Sequence, residues 1–296
     1  MRFTHVLRAS AVAAALALAA TACGGGSTTS SSGDPAAAEN PSFEAGTTMD
    51  RLAKAKAIKI GTKFDQPLFG LKGLDNKPVG FDVEIGKIVA AKLGIPADKI
   101  TYEETPSRVR EEVIEQKKVD AVVATYTIND TRKQRVSFAG PYYVAGQDLM
   151  VKKEDTAITG PESLKAANAK VCSVTGSTPA KEIAKFVDAA NIVLFDVYSK
   201  CADSLRNGQV QAVTTDNVIL LGLIDTSQGA FKLVGKSFTT EPYGIGITKG
   251  DVKFCEFINK TLTEAVADGS YERAWKATAG KVEPKVPTLP PAGACS

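Results

Sequence analysis

Histidine is nearly absent from this 296-residue chain, since the only one is His5. That residue lies in a stretch that reads as a signal peptide, so the mature chain contains no histidine. Nucleophilic Ser-His-Asp and Cys-His groups and histidine-containing zinc sites all require an imidazole. The sequence therefore excludes these chemistries, and any catalysis would have to use carboxylates, lysines or tyrosines.

Glycine-rich phosphate-binding motifs are also missing. Neither G-x-x-x-x-G-K-[ST] nor G-x-G-x-x-G occurs, so a bound nucleotide is not expected. The formal net charge is +3, and it falls to 3 − 2 = +1 when Arg2 and Arg8 leave with the signal peptide. This balance gives no sign of nucleic-acid binding. About 230 residues remain between the predicted tether and tail, which is the length of one large or two small domains, and a hydrophobic fraction of 44% is enough to form their cores.

The first 22 residues indicate export. Arg2 and Arg8 precede an Ala/Leu-rich run, residues 9–20, that is too short to remain as a membrane-spanning helix. The following residues, 20–23 (ATAC), resemble a lipobox, in which the cysteine, here Cys23, is acylated and becomes the mature N-terminus. Alanine stands at the first position of this motif, where leucine is preferred. The alternative is an ordinary A-x-A cleavage site.

A tether is expected after the lipid anchor. Residues 23–48 are rich in Gly, Ser, Thr, Ala and Pro and have no periodic apolar face, which is typical of a flexible linker. The folded part is then expected to begin near Thr48. No second membrane-spanning segment is evident.

Strand-like and helix-like segments alternate along the folded part. The strand-like runs are AIKIGT, KITYEE, DAVVAT, DLMVKK, AKVCSV, IVLFD, VQAVTT, FKLVG and YGIGITK. Between them, apolar residues at helical spacing predict one amphipathic helix from Phe81 to Gly94 and another after Pro179. This alternation predicts an α/β fold with mainly parallel sheets covered by helices.

One segment combines a buried strand with an arginine. VDAVVA, starting at Val119, is a β-branched run typical of a covered parallel strand, and residues 129–131 offer turn and N-cap chemistry. Arg132 then begins a short helix at the strand end, where polar ligands often bind. Its planar fork can hold a carboxylate, with Thr125 and Thr127 completing the site. The alternative is a surface arginine.

Six segments in order resemble one protein family: KIGTKFDQPLFG, GFDVEIGKIVAAKLG, ATYTINDTRK, VCSVTGSTPA, VTTDN and YGIGITK. The chain resembles, from about Met49 to Gly280, the family 3 solute-binding proteins, which deliver polar amino acids to ABC importers. It is most similar to their glutamate-binding lipoproteins. The resemblance implies a two-lobed, periplasmic-binding-protein-like clamshell whose two mainly parallel sheets are joined by two crossovers, PYYVAGQ and SFTTEPYG.

The same resemblance implies domain bounds. Lobe I is expected to comprise 49–143 and 241–282, lobe II 144–240, and a Pro-rich tail 283–296. Paired crossovers form a hinge, with the ligand bound in the cleft between the lobes.

The resemblance also implies roles for single residues. Arg132 is expected to hold the ligand's α-carboxylate, together with residues Thr125, Tyr126 and Thr127 of the same motif, and further donors are expected from Gly176, Ser177 and Thr178 before the helix at Pro179. Asp216 is expected to pair with the α-ammonium, and its alternative role is an N-cap for the helix 217–223.

Selectivity for the ligand's side chain is assigned to Lys63 and Arg110. Relatives that bind acidic amino acids carry cations at these positions, and two converging cations imply a second carboxylate on the ligand. The alternative for both is a solvated surface cation. Phe64 is expected to pack on the ligand's aliphatic stem or to be plain core.

Five cysteines in an exported chain suggest Cys23 for the lipid and four for disulfides, for which the sequence alone allows three pairings. The family resemblance includes the pair Cys172–Cys201. That leaves Cys255 with Cys295, which would pin the tail onto the helix that begins near Asp251. Free or buried thiols are the alternative.

The expected function is that of a lipid-anchored, monomeric receptor on the extracellular face of the membrane. It would capture L-glutamate, with aspartate, glutamine and asparagine as other candidates, and present it to ABC permease subunits. No reaction, cofactor or metal is expected. Two alternatives stay open: an enzyme on the same scaffold, such as a dehydratase acting on an amino-acid-like acid, and a sensor ectodomain, which the missing membrane span disfavours.

Overall fold

The short apolar runs form the central strands of two five-stranded sheets in the computed structural model, which describes residues 33–296. The predicted signal peptide, the predicted lipidation site Cys23 and the first part of the predicted tether lie outside the described residues. Within 33–296, every helix is too short or too polar to cross a membrane.

The strands are β1 (Ile58–Thr62), β2 (Asp65–Gln66), β3 (Gly70–Lys72), β4 (Pro78–Val79), β5 (Ile100–Glu104), β6 (Ala121–Val122), β7 (Ser137–Ala145), β8 (Gln147–Lys152), β9 (Val171–Val174), β10 (Ile192–Phe195), β11 (Ala212–Asp216), β12 (Phe231–Leu233) and β13 (Glu241–Ile247). The α-helices are α1 (Thr48–Ala55), α2 (Phe81–Lys92), α3 (Arg110–Glu115), α4 (Asp130–Lys133), α5 (Ser163–Ala166), α6 (Thr178–Ile183), α7 (Tyr198–Arg206), α8 (Asn217–Asp225), α9 (Val252–Ala267) and α10 (Ser270–Ala277).

The strand order shows how the chain passes between the sheets. The first sheet, in lobe I, has the order β5-β1-β6-β13-β7, and the second, in lobe II, has the order β10-β9-β11-β8-β12. Four strands of each sheet point the same way, and the fifth, β13 or β8, runs opposite to them. The chain enters the second sheet from the first through β8, and it returns to the first sheet through β13. The two-lobed α/β fold with two crossovers is therefore confirmed.

Two features of the fold were not predicted from the sequence pattern. The crossover PYYVAGQ is largely strand, because β7 pairs with β13 along most of its length. A small three-stranded antiparallel sheet, β2-β3-β4, lies between β1 and α2 along the chain. Its strands have two or three residues each, which is too short for an apolar alternation to be visible.

Helix α2 is buried on more than the predicted face. Gly86, Ala90 and Ala91 are buried along with the large apolar residues, because α2 packs between the first sheet and helices α9 and α10. Phe81 packs edge-on against Trp275 at 5.1 Å between ring centroids. Trp275 in turn stacks on Tyr143, so the aromatic core of lobe I reaches the first crossover.

Both expected disulfides are present, the one implied by the resemblance and the one that remained after it was assigned. Cys172–Cys201 joins β9 to α7, and Cys255–Cys295 joins α9 to the tail. The tail also donates a backbone hydrogen bond to β7, from Gly293 N to Gly140 O at 2.8 Å. Because β7 is the edge strand of its sheet, the tail covers an edge that would otherwise be free to pair.

The end of the predicted tether packs on lobe I instead of hanging free. Phe43 meets Phe257 of α9 edge-on at 5.5 Å, and Ala38 N donates to Ala91 O of α2 at 2.8 Å. A Gly/Ser-rich composition predicts a flexible linker, but this part is docked by Phe43, by the Ala38 backbone bond, and by ion pairs of Asp34 with Lys87 and of Glu44 with Lys253. Ordered contacts therefore begin well before Thr48.

Candidate functional site

A small cavity lies between the lobes at the carboxyl ends of several strands, where open α/β sheets bind ligands. About 210 Å³ of space there is unoccupied by atoms, part of it continuous with solvent. The lining residues are Ser107, Arg110, Thr125 and Thr127 from lobe I, and Ser177, Thr178, Pro179, Tyr198, Thr215, Asp216 and Ile219 from lobe II.

Six of the eleven residues expected to bind ligand line this cavity: Arg110, Thr125, Thr127, Ser177, Thr178 and Asp216. Lys63, Tyr126, Arg132 and Gly176 lie one contact or one residue behind the lining. Phe64 does not belong to this group, because it lines a second, more open cavity beside Asp65 and Leu71. Lys63 and Phe64 follow the end of β1, with Phe64 in a bend, so their side chains have different neighbours: Lys63 bonds to Ser107 of the cavity lining, whereas the ring of Phe64 lies 4.7 Å from Lys72 Nζ.

Arg132 is held at the start of α4, whose N-cap residue Asn129 accepts the backbone N–H of Arg132 at 2.9 Å. Its Nη1 donates to Thr127 O at 2.6 Å, and its Nη2 donates across the cleft to Gly176 O at 3.2 Å. Nε lies 3.3 Å from a carboxylate oxygen of Glu111. Each terminal nitrogen carries two N–H groups, so one on each is left for a ligand.

The side chain of Arg132 is only 6% exposed, so the alternative of a surface arginine is wrong. Two guanidinium groups contact the ring of Tyr126, with the centroid 4.3 Å from Arg110 Cζ and 5.0 Å from Arg132 Cζ. Burial, and secondly the charge of Arg110, lower the pKa of Arg132 to about 10. Tyr126 therefore packs against the two arginines and does not itself line the cavity.

Lys63 and Arg110 are 3% and 2% exposed, so they are not solvated surface cations. Lys63 Nζ donates to Ser107 Oγ at 2.8 Å, and Arg110 Nη1 donates to the carbonyls of Ala124 and Thr125. Among residues 33–296 neither cation has a carboxylate within 4.0 Å, and Arg110 Nε has no partner. Burial, and secondly Arg110, lower the pKa of Lys63 to about 7.

Asp216 ends β11 and stands at the N-cap position of α8, but its side chain makes no capping hydrogen bond. One carboxylate oxygen accepts the hydroxyl of Tyr243 at 2.6 Å, and the other has no partner within the described residues. Burial, and secondly the charge of Glu241, raise the pKa of Asp216 to about 7. A buried carboxylate oxygen without a partner is suited to bind a cationic group of a ligand.

The first turn of α2 supplies a carboxylate that sequence reasoning missed. Asp82 is fully buried and accepts the Tyr142 hydroxyl at 2.6 Å and the Thr125 backbone N–H at 2.7 Å. Burial raises its pKa to about 7. Thr125 has φ +45°, an unfavourable value for a β-branched residue, and the bond from Asp82 holds it there. An acidic residue in a first helical turn is ordinary, so the sequence carried no signal for this role.

The loop after β9 brings lobe II against lobe I. Ser177 caps α6 through its side chain, while Thr178 Oγ1 donates to Glu241 Oε2 at 2.8 Å. Gly176 has φ +79°, and a Cβ there would lie 2.7 Å from Arg108 Cα of lobe I. Glycine is therefore required at this position by both conformation and space.

The shifted pKa values predict how stability changes with pH in the ligand-free protein. Between about pH 4 and 7 the folded form keeps protons on Asp82 and Asp216 that the unfolded chain has lost, so their ionisation lowers stability as pH rises. Lys63 acts in the opposite sense, because the unfolded chain binds more protons between about pH 7 and 10.5, and stability rises across that range.

We therefore expect Asp216→Asn to gain stability relative to the wild-type protein as pH rises from 4 to 7. Urea unfolding at several pH values measures this difference. The exposed Asp188→Asn is the control, since it removes a carboxylate outside the cleft. Parallel pH profiles for the wild-type and Asp216→Asn proteins would contradict the prediction.

Comparison with known proteins agrees with this geometry. The family model of the bacterial extracellular solute-binding proteins, family 3, matches residues 58–277. The glutamate-binding protein of Corynebacterium efficiens is 40% identical over 225 residues, which cover 73% of this chain and 76% of that protein. The ABC transporter glutamine-binding protein of Bacillus subtilis is 37% identical over 231 residues, covering 77% and 84%.

A solved structure shows the same fold. It is an ancestral amino acid-binding protein described as a precursor of cyclohexadienyl dehydratase, with a TM-score of 0.72 and 27% identity. The similarity covers 78% of this chain and 99% of that one.

Proposed function

The chain belongs to the bacterial extracellular solute-binding proteins of family 3, and from that membership we propose that it captures L-glutamate for delivery to an ABC importer. Aspartate, glutamine and asparagine are the other candidate ligands. A glutamate-binding and a glutamine-binding relative are almost equally similar to this chain, so the choice among ligands rests on the site itself.

The observation that carries glutamate is the pair of buried cations Lys63 and Arg110. Neither has a carboxylate partner within the described residues, and burying an unpaired charge is costly. A distal carboxylate on the ligand would compensate both charges. The amide of glutamine would leave them with only the longer-range attraction of Asp82 and Asp65, so the site favours an acidic side chain.

The common amino-acid group would bind at the other charged residues. Arg132 retains one N–H on each terminal nitrogen, which suits a bidentate bond to the α-carboxylate. Asp216 retains one oxygen for the α-ammonium. These two residues belong to different lobes, so one ligand would bridge the cleft and favour its closure.

Anchoring belongs to the same proposal. A lipid on Cys23 would hold the monomeric protein on the extracellular face of the membrane, near the permease subunits that accept the amino acid. The support for this is the lipobox-like segment ATAC together with the family of the folded part.

Neutralising either buried cation tests the choice of ligand. Arg110→Gln and Lys63→Gln are each expected to weaken glutamate far more than glutamine, because only glutamate has a distal negative charge. A charge-assisted hydrogen bond is worth about 1.5 to 3 kcal/mol, so the glutamate-to-glutamine affinity ratio should fall about tenfold to a hundredfold. Calorimetric titration with both ligands measures the ratio.

Lys59→Gln is the matched control. Lys59 lies on β1, the strand that ends just before Lys63, but its side chain is exposed. It should leave the ratio unchanged. Equal losses for glutamate and glutamine in the two test variants would show that Lys63 and Arg110 shape the cleft without reading the distal charge. The preferred ligand would then have to be reassigned.

An enzyme on the same scaffold is the second candidate. Asp216 lines the cavity, and Lys63 and Asp82 bond to its lining residues Ser107 and Thr125. All three have pKa values near 7, a combination common at catalytic sites, and one structural neighbour is described as a precursor of a dehydratase. Mass spectrometry of glutamate incubated with the protein separates the two functions. Recovery of unchanged glutamate supports the receptor, and a new product would support the enzyme.

A further inference from the structure

A carboxylate outside the ligand cavity makes a direct bond between the lobes. Asp65 Oδ2 accepts the backbone N–H of Tyr198 at 2.7 Å. Asp65 belongs to β2 of the small sheet, whose other strands β3 and β4 contact α2 of lobe I. Tyr198 is the first residue of α7, which packs on the strands of the lobe II sheet.

This bond supplies a cap that α7 lacks within its own lobe. The first N–H groups of a helix have no partner inside the helix, and the N-cap residue Val197 has no side chain that could accept one. A carboxylate at this end also interacts favourably with the helix dipole. Asp65 therefore completes α7 only when the two lobes are together.

A second contact beside this bond brings the same segments close. A Cβ on Gly222 of α8 would lie 2.4 Å from the carbonyl oxygen of Pro67, two residues beyond Asp65. The absence of a side chain on Gly222 allows the turn after β2 to rest on the helix backbone. The lobe I segment 65–67 is therefore seated on both α7 and α8.

Helix α7 connects this contact to the ligand cavity. Tyr198, whose N–H is bound by Asp65, also lines the cavity. Three residues further on, Cys201 is bonded to Cys172 of β9, the strand that leads into the Gly176 loop. The disulfide links α7 covalently to β9. A contact at the start of α7 therefore also constrains the lobe II residues that line the cavity.

We propose that Asp65 is a positioning residue that favours the closed cleft without touching the ligand. The inference rests on the proposed function, in which an amino acid binds to the closed form. Asp65 itself lines the second, open cavity and is not among the residues that line the ligand cavity. A residue that raises the closed population tightens every ligand equally, because the apparent Kd is the intrinsic Kd divided by that population.

The test compares Asp65→Ala, Asp65→Asn and a control by calorimetric titration with glutamate and glutamine. Both Asp65 variants remove a charge that raises the pKa of Lys63, so they share any effect on the glutamate-to-glutamine ratio that comes through Lys63. Compared with Asp65→Asn, Asp65→Ala should weaken both ligands by the same further factor, about tenfold. Asp65→Asn keeps an oxygen acceptor and should retain most of the affinity. The control is Asp251→Ala, because Asp251 caps α9 inside lobe I and should affect stability without changing either affinity.

Hydrogen exchange at the Tyr198 amide provides a reading that needs no ligand. In the ligand-free protein this amide should exchange faster in Asp65→Ala than in the wild type, and Asp251→Ala should leave it unchanged. Equal affinities in Asp65→Ala and Asp65→Asn would overturn the proposal, as would a glutamate-to-glutamine ratio that differs between these two variants, which would mean direct contact with the ligand. If the wild-type chain bound no amino acid, the proposed function would fail. The exchange rate of the Tyr198 amide would still show whether Asp65 bonds to it in solution.

Discussion

Arg132→Ala is expected to weaken the binding of every amino-acid ligand by about thirtyfold to several thousandfold. The substitution removes the two free N–H groups proposed for the α-carboxylate, and it also breaks the bond across the cleft to Gly176 O. Removing one partner of a buried, hydrogen-bonded charge pair costs about 2 to 5 kcal/mol. For a receptor with micromolar affinity, about −8 kcal/mol, that loss moves Kd toward or beyond the millimolar range.

Calorimetric titration with glutamate and glutamine measures this loss, and two variants make it specific. Arg135→Ala removes an arginine three positions along that is half exposed and pairs with Glu115, so binding should remain at the wild-type level. Arg132→Lys keeps the charge but not the planar fork, so it should recover only part of the affinity. Near-wild-type titration of Arg132→Ala would reject the assignment of the α-carboxylate site.

Asp216→Asn is expected to have the second largest effect, again about 2 to 5 kcal/mol for glutamate. The substitution keeps the size of the side chain and an acceptor for the Tyr243 hydroxyl, but it removes the negative charge proposed to pair with the α-ammonium. Glutarate, which has both carboxylates and no ammonium, provides the internal comparison. Its weaker binding should be unaffected or slightly improved in Asp216→Asn.

The pKa of Asp216 adds a pH signature to this variant. With a pKa of about 7 in the ligand-free protein, the carboxyl group must lose a proton to pair with an ammonium group. Wild-type affinity for glutamate should therefore decrease as pH falls below about 7. In Asp216→Asn the part of this pH dependence that comes from protonation of Asp216 should be missing. An equal loss of glutamate and glutarate in the variant would show that Asp216 supports the cleft without recognising the ammonium group.

The cleft is arranged at a cost to the ligand-free protein. Asp82, Asp216 and Lys63 all have pKa values displaced toward their uncharged forms because burial removes them from water. Thr125 holds an unfavourable positive φ beside them. Such strain is tolerated where preorganised groups bind a ligand. A charged ligand that satisfies these groups stabilises the folded state by RT ln(1 + [L]/Kd), which grows with the logarithm of its concentration.

The local sequence pattern was sufficient to predict the strand, turn and helix that position Arg132. The β-branched run before it, the Asn129 cap and the turn residues lie within a dozen positions of one another, so their hydrogen bonds are determined by neighbours in the chain. The same holds for Asp216 at the end of β11 and for Ser177 at the start of α6. Their roles toward a ligand came from the family resemblance, and they remain to be tested by mutation.

Other features were decided by residues far apart in the chain. Asp82 owes its burial and its raised pKa to Tyr142, Thr125 and the surrounding core, and no local motif distinguishes it from any acidic residue in a first helical turn. The β7 strand forms because β13, about a hundred residues later, pairs with it. Phe43 docks on Phe257 although the composition around it predicts a linker.

Taken by itself, the sequence determined the order and type of most elements and the positions of the charged residues at strand ends. Periodicity and capping depend on contacts within a few residues, and these are readable from the chain. Tertiary structure alone decided which charges are buried without a partner, that Phe64 lines a cavity other than the candidate ligand cavity, and that Asp65 caps a helix of the other lobe. Burial and partner choice depend on groups that meet only when distant segments pack together, because the free energy of a charge is set by the water and the counter-charges around it.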